Sequence, residues 1–242
     1  MREVRIYQPG NYAVGQELEL SVAAGQHVGV VLRMQAGGKI TLFCGDNREF
    51  EAAIVSAHKK KVVVAILSEQ LVNRESPCII HLAQAVSKGE RMEIVIQKAV
   101  ELGVASITPI MTERSVVRVD EERMEKKRAQ WQAIAVAACE QSGRNQVPEI
   151  KAMQTLNDYL KHDLKALKLV LHPEMSKNWR DYHFDKTEVA LLIGPEGGFS
   201  EQEIKQILFN NFNPLSLGPR ILRTETAAIA ALSVLQAVSG DL

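Results

Sequence analysis

The stretch LLIGPEGGFSEQEI, residues 191–204, places three glycines within five positions directly after an apolar run, and Ser200 is followed three residues later by Glu203. The run VALLI (189–193) reads as a buried strand, and S-x-x-E reads as a capping box that opens a helix just past the glycines. A strand that enters a helix through a bare loop is the repeating unit of an α/β fold. Gly194, Gly197 and Gly198 allow torsions closed to other residues and let a ligand approach the main chain. A tight turn before a capped helix would ask for the same glycines.

The same rhythm extends outward from this stretch. CIIHLAQAV (78–86) reads as a strand, and GERMEIVIQKAVELG (89–103) has apolar residues at 92, 95, 96, 99 and 102, a helical spacing that Gly103 ends. A strand at SITPIM, a long helix from about Asp120 to Gln141, strands at LKLVLH and LSL, and a final Ala-rich helix follow. Strands alternating with helices predict a mainly parallel sheet covered on both faces, with ligands beyond the carboxyl ends of the strands. Three strand ends are candidates: LVLHPE (169–174), LIGPEGGFS (192–200) and LSLGPRILRTETA (215–227). In the third, Thr224 or Thr226 is suited to cap the last helix.

Up to about residue 70 the grammar differs. QELEL, GKITLFC, EFEAAIVSA and KVVVAIL are short runs of β-formers punctuated by AGG and GDN, which predicts a small β-barrel. The polar stretch EQLVNRESP (69–77) reads as a linker.

Composition narrows the function. Among 242 residues, 29 Lys and Arg balance 29 Asp and Glu, so any nucleic-acid binding rests on local basic patches. Cys44, Cys78 and Cys139 are odd in number and outside any CxxC spacing, which fits reduced thiols. The six histidines lack ligand spacing, so no metal is expected. Charges near the start occupy the place of a signal peptide's apolar segment, and no apolar run approaches the ~18 residues of a membrane span. A soluble, cytoplasmic protein is expected. GxxxxGK[ST] is absent and no GxGxxG follows a strand, so both nucleotide-phosphate fingerprints fail. Glu196 would repel a phosphate.

IGPEGGFSEQE followed by LGPRILRTETAA resembles the C-terminal signature of the SPOUT-class RNA methyltransferases, and more narrowly the ribosomal small subunit methyltransferase E family. RIYQP (5–9), HVGVVLRM (27–34), SKGERMEIVIQKAVELG (87–103), ERSVVR (113–118) and AACEQSGRNQVPEI (137–150) agree with that family in the expected order. The resemblance runs along essentially the whole chain and is least marked over 151–188.

The resemblance implies a PUA-like β-barrel over 1–72 that binds RNA and, over 73–242, a SPOUT α/β domain with a deep C-terminal trefoil knot. It implies S-adenosylmethionine as cofactor and N3 of a uridine in the 16S rRNA decoding region as target. Carried over residue by residue, the cofactor site comprises Leu171, His172, Ile193, Gly194, Pro195, Glu196, Gly197, Gly198, Phe199, Leu217, Gly218, Ile221, Leu222, Arg223, Thr224, Thr226 and Ala227. Arg223 is the candidate for stabilising charge that develops on the uracil, with partnership to Glu225 as its structural alternative. Glu196 and Glu225 are candidate proton acceptors beside loss to solvent. Arg2, Arg5, Arg33, Arg114, Arg118, Arg128, Trp131, Gln141 and Arg144 are candidate RNA contacts, with Lys59, Lys60 and Lys61 adding charge. The expected partners are 16S rRNA or the assembled 30S subunit, and a second copy of the chain that completes each site. Rival readings are methylation of another atom (ribose 2′-O or guanine N1), a non-catalytic RNA-binding protein, and a small-molecule α/β enzyme.

Overall fold

The computed structural model describes residues 4–59, 61–115, 121–172, 178–182 and 188–242. Arg2, Lys60 and Arg118 lie outside the described residues. The chain forms two compact units, Met1–Glu75 with Cys139–Val147, and Ser76–Ala138 with Pro148–Leu242.

The first unit holds β1 (Arg5–Tyr7), β2 (Glu17–Glu19), α1 (Val22–Gln26), β3 (Lys39–Phe43), β4 (Arg48–His58) and β5 (Lys61–Leu71). Its sheet runs β1-β3-β4-β5-β2, with β1 parallel to β3 and the other pairs antiparallel. Ile6, Leu42, Phe50, Ile54, Val62 and Val64 form its core. The helical stretch between β2 and β3 was not legible in the sequence. Ser21 Oγ accepts the Ala24 N–H, and a π-helical turn, His27–Val31, continues from α1. Gly29 makes this packing possible, because a Cβ there would stand 2.0 Å from the Lys59 carbonyl oxygen. β5 runs through Leu71, so the polar stretch starts as strand and becomes a connection only afterwards.

Residues 139–147 join this unit through a buried carboxylate. Glu49 is 3 % exposed and accepts hydrogen bonds from Arg5, Arg74 and Asn145. A buried charge requires such partners, and here they come from three separate segments.

The second unit contains β6 (Ile79–Ala85), α2 (Arg91–Glu101), β7 (Ser106–Met111), α3 (Glu121–Ser142, its last turn in the first unit), β8 (Glu149–Ile150), β9 (Gln154–Thr155) and α4 (Leu156–Leu160). β10 (Leu167–Leu171), β11 (Glu188–Ile193), α5 (Glu201–Phe209), β12 (Asn213–Leu215) and α6 (Thr224–Ser239) complete it. The sheet order is β12-β10-β11-β6-β7-β8, with β9 also on β7, and every ladder is parallel. Central strands are apolar on both faces, as a parallel sheet covered by helices requires: Val189 through Leu192 are fully buried. The strand expected at LSL lies two residues earlier, because β12 pairs Asn213 to Leu215 with Leu169 to Leu171. α6 packs its small-residue face (Ala228, Ala231, Leu232, Leu235) inward, and Gln236 donates to the Leu102 carbonyl at 2.9 Å. No helix among the described residues is long and apolar enough to cross a membrane.

Candidate active site

β12, β10 and β11 are neighbours, and their carboxyl ends open on a cavity of about 1000 Å³. Leu171 and His172 come from β10, Ile193 to Phe199 from β11 and its loop, and Leu217, Gly218 and Ile221 to Thr224 from the loop after β12, with Ala227 on α6. All the cofactor candidates named from the sequence therefore line one space except Thr226, which is exposed on α6 and outside the lining. Arg91, Arg114, Ile204, Lys205, Leu215 and Arg220 also line the cavity and were not among those candidates. Ile204 and Lys205 follow the capped helix start by one turn, a spacing that could have announced them. Arg91 is 105 residues from its partner Glu196 and had no local signal.

The glycine loop is held by specific contacts. Gly198 has φ +67°, and its N–H donates to the Pro195 carbonyl at 2.9 Å, closing the turn. A Cβ on Gly194 would lie 3.0 Å from the Phe199 ring. The Ser200–Glu203 capping box forms as the sequence predicted, and α5 begins at Glu201.

Thr224 does not cap α6, and neither does Thr226. The N-cap is Arg223, without a side-chain cap bond. The Thr224 hydroxyl instead donates to the Gly194 carbonyl at 2.8 Å and accepts from Gln84 Nε2 at 3.0 Å. Gln84 is fully buried on β6, paired in register with Ile193.

Glu196 accepts from Arg91 at 2.6 Å and from the Lys88 N–H at 3.3 Å. Burial pushes its pKa up, but hydrogen bonds from its own N–H, from Arg91 and from Lys88 outweigh that and leave it below the usual carboxylate value. These contacts anchor Glu196 and make it a weaker base than a free carboxylate. Glu225 is outside the cavity lining, and its Oε2 is buried without a hydrogen-bond partner among the described residues. The Arg223 carbonyl accepts the Ala227 N–H at 2.7 Å, whereas its exposed side chain makes no ion pair or hydrogen bond with a described residue, Glu225 included.

The candidate RNA contacts separate into two groups. Arg33, Arg128 and Gln141 are exposed or half-exposed, with Arg128 paired to Glu125. Trp131 is 3 % exposed, on the α3 face that also buries Ala135, Ala138 and Cys139, the core placement that its sequence left open beside RNA contact and a dimer interface. Spacing showed that Arg128 and Trp131 share a side of the helix, not which side faces the core. Arg144 is 5 % exposed and ion-paired with Glu75, and the Arg5 guanidinium is committed to Glu49 and Asn145. Arg114 donates to the Gly197 carbonyl at 2.8 Å.

Comparison with known proteins gives the ancestry of this arrangement. The family model described as an RNA methyltransferase domain matches residues 74–236, and an RNA methyltransferase PUA domain model matches residues 22–67. The Ribosomal RNA small subunit methyltransferase E of Buchnera aphidicola (subsp. Schizaphis graminum) is 39% identical over 239 residues, 98% of this chain and 97% of that protein. The Bacillus subtilis protein of the same name is 34% identical, covering 86% of this chain and 85% of its own. A methyltransferase structure from Legionella pneumophila, in complex with the bound cofactor SAM, is 60% identical with a TM-score of 0.97 over 100% of both chains. A Ribosomal RNA small subunit methyltransferase E from Neisseria gonorrhoeae, bound to S-adenosyl methionine, is 37% identical with a TM-score of 0.93, again over 100% of both. Motif, sheet topology and whole-length similarity agree: the chain belongs to the ribosomal RNA small subunit methyltransferase E family.

Proposed function

We propose that this chain transfers a methyl group from S-adenosylmethionine to N3 of a uridine in the 16S rRNA decoding region. The observation that carries the reading is the cavity at the ends of three adjacent parallel strands, walled by both glycine-bearing loops, with an Arg223 side chain at its edge that has no partner among the described residues.

The residues present fit such a cofactor. The cavity combines apolar walls from Leu171, Ile193, Phe199, Leu217 and Leu222 with a glycine cradle, suiting a ligand that has a flat ring at one end and charged groups at the other. The cofactor supplies a methyl group already activated on a sulfonium, which leaves position and electrostatics to the protein. Leu171, His172 and the 193–199 and 217–227 segments orient it, and the apolar walls exclude water. Arg223 stabilises negative charge on the uracil as N3 loses its proton. A carboxylate, Glu196 or Glu225, accepts that proton in one route and solvent does in the other; Glu196→Gln and Glu225→Gln variants whose pH–rate profiles keep the wild-type shape select the second.

Several finer features belong to the same reading. The two loops are part of a deep trefoil knot, and the strand-rich unit is a PUA-like barrel that holds the RNA, a reading supported by the domain model matched at 22–67. Arg33, Arg128 and Gln141 remain candidate RNA contacts, and a second copy of the chain completes each site.

The test is mass spectrometry of 16S rRNA nucleosides from cells lacking the protein, complemented with wild type or Arg223→Ala. Loss of 3-methyluridine that only the wild type restores supports the reading. A different nucleoside responding moves the target atom, and no response at all leaves a non-catalytic RNA-binding protein.

A further inference from the structure

The turn after β7 is built to be stiff. Ser115 Oγ accepts the Thr112 N–H at 3.1 Å and lies 2.8 Å from Thr112 Oγ1, while the Ser115 N–H donates to the Thr112 carbonyl at 3.0 Å. Two consecutive residues of this turn reach the glycine loop. The Glu113 N–H donates to Glu203 Oε1 at 2.8 Å, and Arg114 Nη1 donates to the carbonyls of Gly197 and Phe199 at 2.8 and 3.4 Å. Glu203 is 3 % exposed, and its second oxygen takes the Ser200 N–H at 2.8 Å.

These contacts fix two peptide groups at both ends. In the 197–198 peptide the carbonyl faces Arg114 and the N–H bonds to the Pro195 carbonyl. In the 199–200 peptide the carbonyl faces Arg114 and the N–H bonds to Glu203. Paired glycines otherwise leave peptide planes free to rotate, and ordering them on binding would oppose affinity. The Arg114 stem also fills the space above the loop, since a Cβ on Gly197 would lie 3.5 Å from it. Both oxygens of Glu203 accept from a backbone N–H, an arrangement a carboxylate satisfies and an amide does not.

We infer that Arg114 and Glu203 form a latch that holds the 194–200 loop in its cofactor-binding shape before the cofactor arrives, which makes Arg114 a positioning residue for the cofactor rather than a contact for RNA. The inference rests on the reading of this cavity as the S-adenosylmethionine site.

The test measures three quantities on the full chain: the Kd for S-adenosylmethionine, the Kd for 16S rRNA, and amide hydrogen exchange without ligand. Arg114→Ala and Glu203→Gln each remove hydrogen bonds to or from a charged group, so each should raise the cofactor Kd by about 10-fold or more. Arg114→Ala should leave the rRNA Kd within about twofold and speed exchange at the Gly198 and Ser200 amides, while α6 amides keep their protection. The double variant should lose less than the product of the single losses, because both residues hold one loop. Arg114→Lys, which keeps a charged donor, should recover part of the affinity and guards against a folding defect in the alanine variant. Unchanged cofactor affinity and loop exchange in Arg114→Ala would overturn the latch, and a selective loss of rRNA affinity would make Arg114 an RNA contact. A wild-type chain that does not bind S-adenosylmethionine would remove the site reading and the latch together.

Discussion

Thr224 and Gly194, 30 residues apart in sequence, are joined by one hydrogen bond of 2.8 Å from the threonine hydroxyl to the glycine carbonyl. Because that hydroxyl also accepts from Gln84, a buried residue of β6, the bond ties the start of α6 to the ends of two adjacent strands. The two loops that wall the cavity are thereby a single structural element. Thr224→Val keeps the shape and deletes the hydroxyl, leaving the Gly194 carbonyl and the Gln84 amide short of a partner. A loss of about 1–3 kcal/mol in denaturant unfolding is expected, together with weaker S-adenosylmethionine binding. Thr224→Ser should stay within about 1 kcal/mol of wild type. Equal stability of the valine variant would show that the bond is dispensable.

Glu196 and Arg91 give a contrasting prediction about pH. The hydrogen bonds around Glu196 hold its pKa below the usual carboxylate value, so it is ionised throughout the neutral range and contributes no titration there. Glu196→Gln should weaken cofactor binding by releasing the loop from Arg91, while the shape of the rate profile between about pH 6 and 9 stays the same. If the variant instead abolishes a rising limb of that profile, Glu196 is a base after all.

The α/β unit was readable because its strands are unbroken apolar runs and its helices carry local stop and start signals, Gly103 after α2 and the Ser200–Glu203 box before α5. The 194–198 glycine loop was readable from the strand end before it and the capping box after it, both local, although Thr224 and Arg114, which hold it, are distant in sequence. What the sequence concealed depends on distant partners. The membership of residues 139–147 in the first unit rests on Glu49 holding Asn145, 96 residues away, and the helical stretch after β2 depends on Gly29 meeting Lys59. Arg114 read only as a candidate RNA contact, since only the fold brings the β7 turn to the loop after β11.

Gly198 and Gly194 both favour glycine, for different reasons. At Gly198 the cause is torsional: φ is +67° and an added Cβ would meet nothing within 4 Å. Gly198→Ala should therefore cost about 1–2 kcal/mol, and Gly198→Asn less, because asparagine enters the left-handed region more readily. At Gly194 the cause is steric, the Phe199 ring standing 3.0 Å from the added carbon. Trimming the ring in a Gly194→Ala, Phe199→Leu double variant should recover stability that Gly194→Ala loses, whereas no ring substitution should rescue Gly198→Ala. Denaturant midpoints of these variants decide it, and rescue of Gly198→Ala by Phe199→Leu would contradict the torsional account.

The buried Glu49 makes the stability of the first unit depend on acid. Burial pushes its pKa up, but hydrogen bonds from Arg74, Arg5 and Asn145 outweigh it and hold the carboxyl below its ordinary value of 4.5. A carboxylate whose folded pKa lies below its unfolded one adds stability above the unfolded value and loses it as pH falls through the folded value. Wild type should therefore be most protected at ~pH 7 and weaken below about pH 4.5. Glu49→Gln removes the charge and leaves Arg5 poorly paired, so a loss of roughly 3 kcal/mol is expected at ~pH 7. The gap between the two proteins should narrow between ~pH 7 and ~pH 3.5, because below 4.5 the unfolded chain takes up a proton that the folded Glu49 resists. Hydrogen exchange at the β4 amides reports on this unit directly. A gap of the same size at both pH values would mean that the shape of the side chain, and not its charge, holds residues 139–147 against the sheet.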